Sequence, residues 1–303
     1  MSVSASSERS PVRSPRRLRW IAIPVALGVA LALAGCTQTQ LRGFLPGEPG
    51  ITNHTDDITG LWVTSWIILL AIGLLVWGLI IWTAVVYRRR KGQTGLPVQL
   101  RYNMPIEIFY TIVPLILVLG FFAFTARDQA NIEQPTANPD VQIQVFGKRW
   151  SWDFNYLNVG PDGKGVYTQG IQAQEIDTPP YIDESKLPIL YLPVGKTVAL
   201  DIESRDVVHS FWVPDFLYKK DMIPGKSNHI YFTPLKIGEY MGKCAELCGE
   251  YHSLMLFKVR VVSESDYNAY IQSLADKGQT GALGPEYNTN TNQPGTQAPT
   301  GNE

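Results

Sequence analysis

The chain has 303 residues, enough for one sizeable domain with extensions, and its formal net charge is −1. No nucleic-acid partner is expected from so even a balance. It has three cysteines, and Cys36 stands far from the other two, which argues against one simple disulfide framework.

The average charge hides an asymmetry. Residues 1–35 carry five arginines and one glutamate, whereas residues 127–303 hold 22 acidic and 15 basic residues, a balance of −7. An acidic exported domain suits a basic partner, with charge mainly setting the encounter rate. Plain solubility is the other reading of the same numbers.

Residues 1–35 read as a secretory signal. Arg13, Arg16, Arg17 and Arg19 form a basic start, and the apolar run from Trp20 to Leu33 is short for a bilayer span. It ends in Leu33-Ala34-Gly35-Cys36, small residues followed at once by cysteine. That ending resembles a bacterial lipobox and implies cleavage before Cys36 and lipidation of its sulfur. An ordinary signal peptide holding a cysteine is the alternative. Residues 36–60, rich in Gly, Pro and Thr, are expected to form an extracytoplasmic tether, with His54 a solvated histidine.

Residues 61–127 are expected to form a transmembrane helical hairpin. Ile58–Tyr87 has Asp-free, Lys-free apolar character with Trp62, Trp66, Trp77 and Trp82 toward its two ends, where indoles favour the interface. Arg88-Arg89-Arg90-Lys91 follows at once and marks that end as cytoplasmic. Ile108–Ala126 is the second uncharged run and returns outward, with Pro114 tolerable inside a membrane helix. Glu107, at the cytoplasmic start of this run, is either an interface residue or part of a proton path.

From Val141 the pattern changes to short alternating runs. Val141–Val145, Val198–Glu203 and Phe257–Val261 alternate with period two, and turns rich in Gly and Pro separate them. Such runs argue for a β-sandwich or barrel over residues 128–264. A long irregular insertion is expected between Asp153 and Pro188. Ser263-Glu264-Ser265-Asp266 looks like a cap opening a short helix over 265–277. Residues 278–303 are Gly, Thr, Asn, Gln and Pro with few large apolar side chains, and disorder is expected there.

The chemistry concentrates in Cys244-Ala245-Glu246-Leu247-Cys248-Gly249-Glu250-Tyr251-His252-Ser253-Leu254-Met255, with His209 upstream in Asp206-Val207-Val208-His209. Soft sulfur donors with imidazole select copper, zinc or iron–sulfur centres, and a thioether narrows the choice to copper. Two thiolates, two imidazoles and one thioether exceed what one blue copper needs and suit two coppers sharing bridging sulfurs. A Cys244–Cys248 disulfide is the competing reading. The aromatic run Trp150-Ser151-Trp152-Asp153-Phe154-Asn155-Tyr156 reads as strand packing or, at an exposed ring, as a docking anchor. His229 reads as structural or exposed.

The Cys-x-Glu-x-Cys-Gly-x-x-His-x-x-Met pattern, with upstream Asp-Val-x-His-Ser, resembles cytochrome c oxidase subunit II, in particular the lipoprotein form of actinobacterial aa3 oxidases. The resemblance covers hairpin, β-domain and site. It implies a cupredoxin-like barrel carrying the binuclear copper centre CuA, with His209, Cys244, Cys248, His252 and Met255 as side-chain ligands. It also implies that Glu246 ligates copper through its carbonyl and magnesium through its carboxylate at the boundary with subunit I. Trp150 would receive the electron from cytochrome c, with Lys148 and Arg149 placing positive charge beside it. Apolar neighbours such as Leu247, Leu254, Leu256, Phe211 and Trp212 would exclude water. Glu107 would lie at the mouth of a proton channel.

The function so implied is the electron-accepting subunit of a proton-translocating terminal oxidase, whose oxygen chemistry lies in subunit I. Its partners would be subunits I and III, the lipid bilayer, and cytochrome c or a tethered cytochrome c domain of a bc1-type complex. That domain would dock on the 153–188 insertion, or the insertion is a surface loop without a role. The location implied is the plasma membrane, with the C-terminal part outside. A quinol-oxidase subunit would lack the copper ligands, a nitrous oxide reductase would need a further large domain, and a copper-handling lipoprotein would need neither Glu246 nor Glu107.

Overall fold

Two long apolar helices precede the β-domain in the computed structural model, which describes residues 28, 37–96, 99–178 and 181–287. Cys36, the rest of the signal region and residues 288–303 lie outside the described residues.

The first long helix, Thr55–Val86, carries Asp56 and Asp57 in its first turn, where the helix dipole favours negative charge. The second, Met104–Ile132, opens on Asn103, whose side chain accepts from the Ile106 amide. Glu107 completes that cap by accepting from the Asn103 amide at 2.7 Å. This local bonding starts the helix ahead of the uncharged run. Both helices are long enough to cross a bilayer, and their apolar side chains face outward.

Ten of the strands form two five-stranded sheets. The first has the order β10-β7-β1-β2-β3, with β1 at Val141–Lys148, β2 at Ser151–Tyr156, β3 at Val166–Gln169, β7 at Val198–Ser204 and β10 at Asn228–Phe232. The second has the order β6-β12-β11-β8-β9, with β6 at Ile189–Pro193, β8 at His209–Val213, β9 at Tyr218–Met222, β11 at Gly238–Cys244 and β12 at Leu256–Val262. A two-residue pair, β4 at Asp177–Thr178 and β5 at Tyr181–Ile182, stands apart. β1 runs parallel to β7 and β12 parallel to β6; the remaining pairs are antiparallel. The alternation read from sequence is the pleat. In β12 Phe257, Val259 and Val261 are fully buried, and they meet Ile143, Val145, Leu200 and Ile202 in one apolar core.

The sequence and the fold differ at four places. The stretch from Asp153 to Pro188 is irregular only in part, because β2 and β3 pair within it over Asp153–Tyr156 and Val166–Gln169. Residues 278–287 are not disordered: Thr280 bridges to Val166, and Leu283 is buried. The end of the tether is docked, with the Leu235 amide donating to the Ile51 carbonyl at 2.8 Å and the Asn53 amide to the Thr233 carbonyl at 3.1 Å. His54 is accordingly half-buried, its Nε2 lying 3.0 Å from the Tyr231 carbonyl, and is not a freely solvated side chain. Short polar segments can be ordered by backbone pairing to a sheet edge, which composition does not reveal.

Candidate metal centre

β8 and β11 are neighbours, so His209 at the start of one and Cys244 at the end of the other meet at the same end of the second sheet. The loop from Ala245 to Met255 is closed at its base by the backbone. The Cys244 amide donates to the Met255 carbonyl at 3.1 Å, and the Ala245 amide to the Ser210 carbonyl at 3.1 Å. The Met255 carbonyl also accepts from the buried Trp152 indole at 3.2 Å. Gly249 permits the turn inside the loop with φ of 125°, a region L side chains rarely enter. A 3-10 turn over His252–Leu254 then swings His252 back toward Cys248.

The donor atoms of the loop and of His209 lie near one another. The two sulfurs stand 3.9 Å apart as free thiols, so the disulfide alternative does not hold in this structure. His209 Nδ1 lies 3.8 Å from Cys244 Sγ, His252 Nδ1 3.5 Å from Cys248 Sγ, and Met255 Sδ 3.8 Å from Cys248 Sγ. The Glu246 carbonyl points inward, 3.1 Å from Cys244 Sγ, while its carboxylate is exposed. Among the described residues, His209, Cys244 and Cys248 are the group whose donor atoms lie close enough to share an ion. Two thiolates bound tetrahedrally at roughly 2.3 Å would stand about 3.8 Å apart, so the spacing fits metal held between the sulfurs.

Protonation follows the geometry. The Cys248 thiol donating to it, with help from His209 and despite burial, holds Cys244 well below the ordinary thiol range. Cys248, beside that sulfur and desolvated, is pushed up. The pair therefore releases one proton readily and keeps the second until an ion replaces it.

Asp206, to which the sequence alone gives no role, stands behind His209. It is fully buried, and its Oδ1 lies 2.8 Å from His209 Nε2. A proton on Nε2 leaves Nδ1 with its lone pair turned toward Cys244. Burial works against the His209 charge, but the Asp206 carboxylate and Cys244 outweigh it and raise the imidazole pKa. The Asp206 carboxylate also accepts from the Val207 and Arg149 amides, each at 2.7 Å. The signal in the sequence was its spacing of three residues from a candidate ligand, His209.

Trp150 sits at the tip of the β1–β2 hairpin, half-exposed beside the loop. Its indole donates to the Cys248 carbonyl at 3.3 Å, and its ring lies 5.2 Å from that of Tyr251. Lys148 does not place charge at the surface as the sequence reading had it. It is buried and pairs with the fully buried Asp153 at 2.9 Å, because β2 brings that carboxylate across the hairpin. Arg149 remains partly exposed, 3.6 Å from Asp206. Leu247 does not exclude water either: it is 78% exposed, and Phe211 and Phe257 pack beneath the site in its place. Glu107 lies at the far end of the hairpin in its capping role, and His229 pairs with Asp201 at 2.6 Å, outside the donor set.

Fold and site define a cupredoxin-like protein attached to two membrane-length helices, with a cysteine- and histidine-lined candidate metal centre at one end of its β-domain. The family model described as "Cytochrome C oxidase subunit II, periplasmic domain" matches residues 141–262. The "Probable cytochrome c oxidase subunit 2" of Streptomyces avermitilis is 43% identical over 297 residues, covering 91% of this chain and 92% of that protein. The "Cytochrome c oxidase subunit 2" of Mycobacterium tuberculosis is 34% identical over 310 residues, covering 88% and 85%. Among solved structures, the periplasmic domain of subunit II of the cytochrome oxidase of Bradyrhizobium japonicum is 30% identical, covering 47% of this chain and 99% of that one with a TM-score of 0.40.

The chain belongs to the cytochrome c oxidase subunit II family. It is thus a subunit of a haem–copper oxidase, a membrane protein with its β-domain outside the cytoplasm, from a family whose metal is CuA copper.

Proposed function

We propose that this subunit takes electrons from cytochrome c, free or tethered to a bc1-type complex, and hands them to haem in subunit I. His209, Cys244, Cys248, His252 and Met255 supply the side-chain ligands, and Glu246 adds its carbonyl. Two bound copper ions would supply a one-electron store shared between both nuclei. The observation that carries this reading is the set of donors around Cys248, with Cys244 Sγ, His252 Nδ1 and Met255 Sδ all within 3.9 Å of its sulfur.

The chain's own residues then have distinct tasks. Asp206 fixes the His209 ring. Trp152 and the Cys244 amide hold the Met255 carbonyl, which keeps the thioether turned inward. Trp150, half-exposed and bonded to the Cys248 carbonyl, is where electrons arrive. The exposed Glu246 carboxylate would hold a magnesium ion at the boundary with subunit I, and Glu107, at the opposite, cytoplasmic end of the hairpin, would stand at the mouth of a proton path. Residues 1–35 are removed as a signal, Cys36 is lipidated, residues 36–60 tether the chain, and residues 61–127 cross the bilayer beside subunits I and III.

The test is purification from membranes in mild detergent, followed by metal analysis and EPR. The chain should bring haem a with it, carry two coppers and give a mixed-valence signal shared by both. A chain that emerges alone, or a single-nucleus blue or square-planar spectrum, would sink the proposal and favour a copper-handling lipoprotein.

A further inference from the structure

Residues 279–287 do what their composition does not suggest. Just past the C-terminal helix, Glu264–Asp276, the chain runs along the free edge of β3. The Tyr167 amide donates to the Gln279 carbonyl at 3.1 Å, and the Gly281 amide to the Gly165 carbonyl at 2.8 Å. The chain then dips inward. Leu283 is buried, and Asn155, itself fully buried on β2, holds its backbone from both sides, accepting from the Leu283 amide at 2.9 Å and donating to its carbonyl at 3.1 Å.

The Leu283 carbonyl and that of the next residue, Gly284, complete the surroundings of Arg205. This guanidinium is fully buried, lies 3.9 Å over the Phe146 ring, and pairs with Asp153 at 3.2 Å. It donates to the Leu283 carbonyl at 3.0 Å and to the Gly284 carbonyl at 2.8 Å. Its own amide donates to the Gly147 carbonyl at 2.9 Å, which ties it to β1 just before the Trp150 hairpin tip. The next residue is Asp206, which reaches the other way, to the Arg149 amide and His209 Nε2.

We infer that residues 279–287 are a positioning strap for the metal centre: by fixing Arg205 they hold Asp206 in register with His209 and with the peptide that carries Trp150. Arg205 is a positioning residue and touches no donor atom of the centre. A planar guanidinium suits the task, since its fork reaches a carboxylate on one side and two carbonyls on another. Leaving those N–H groups without acceptors inside the fold costs enough to move the residue or admit water. The inference rests on the reading of His209 as a copper ligand.

The test uses the full chain in the assembled oxidase and three variants: a cut after Gly278, Leu283→Ala as the milder lesion, and a cut after Tyr287 as the control. In the metal-free chain, hydrogen exchange over 147–151 and 204–209 should quicken roughly tenfold or more in the first two, because the Arg149 and Val207 amides both donate to Asp206. With copper bound, the same two variants should shift the reduction potential and the histidine hyperfine couplings, and the control cut should change neither. Lower melting temperatures with unchanged exchange, potential and couplings would reduce the strap to ordinary stabilisation and overturn the inference, as would equal effects from the control cut. If the unaltered chain lacks the shared-copper signal, the functional reading fails and the inference fails with it; if that signal is present and both lesions are silent, the strap alone is refuted.

Discussion

Asp206 links His209 to the Arg149 peptide that precedes Trp150. Its carboxylate accepts from His209 and from two amides, and these bonds outweigh the burial that would otherwise raise its pKa, so it is held below the ordinary carboxylate value. Asp206→Asn keeps the shape but turns a charged acceptor into an amide. Copper affinity should fall roughly 10–100-fold, as for other partners of ligating histidines, and a competition titration of the metal-free chain would measure it. An unchanged affinity would show that the His209 ring is held by packing alone. Asp153 is the corresponding residue for the hairpin, because its two oxygens face Lys148 and Arg205 inside the barrel. Asp153→Asn strands two buried cations and should cost about 3–5 kcal/mol in denaturant unfolding. The candidate ligands were legible in the sequence because donor type and spacing are local properties. The burial of Lys148, Asp153 and Asp206 was not, because it depends on how strands far apart in the chain pair.

At the scale of elements, the loop from Ala245 to Met255 works because strands on both sides close it and Trp150 roofs it. Gly249 is the tight point. A Cβ there would lie 3.0 Å from Trp150 Cζ2, on a backbone with φ of 125°. Gly249→Ala should displace the indole while leaving both thiols and both imidazoles in the chain. The expected result is full copper content, an altered tryptophan fluorescence and cytochrome c oxidation slowed roughly tenfold or more, as small misplacements of reacting groups do. Loss of copper at the same substitution would instead make Gly249 a requirement of the loop itself. The alternating strands β1, β7 and β12 could be read directly from period-two burial. The strap could not, since Leu283 is its one large aliphatic residue and gives no periodic signal, and its order comes from Asn155, Arg205 and the edge of β3. The stretch after Asp153 was hidden for a similar reason: β2 is buried on both faces and includes Asp153 and Asn155, so polar residues stand where alternation would place apolar ones.

On the scale of the whole molecule, the β-domain is fastened to the membrane hairpin by a small polar clasp. Glu133 caps the second long helix and accepts from the Tyr218 hydroxyl and the Lys220 ammonium on β9. Lys220 also donates to the His229 carbonyl at 2.9 Å. Burial would raise the Glu133 pKa, but the bonds from Lys220 and Tyr218 outweigh it and hold it below the ordinary carboxylate value. A carboxylate whose pKa is lower when folded adds stability above its unfolded value and loses it as pH falls through the lowered one. The clasp should therefore be fully made at neutral pH and released below the ordinary carboxylate range. Glu133 is more than a third exposed, so solvent screens the pair, and Glu133→Gln should cost only about 0.5–1 kcal/mol. Its effect should appear in the linker between the helix and β1, which the clasp restrains. Limited proteolysis between Gln134 and Asp140 should quicken several-fold in the variant at pH 7, and the difference from the unaltered chain should vanish once the pH has fallen through the lowered Glu133 pKa, where both lack the charge. Equal cleavage at pH 7 would mean that the docked tether from Ile51 to Asn53, rather than Glu133, sets how firmly the domain is held.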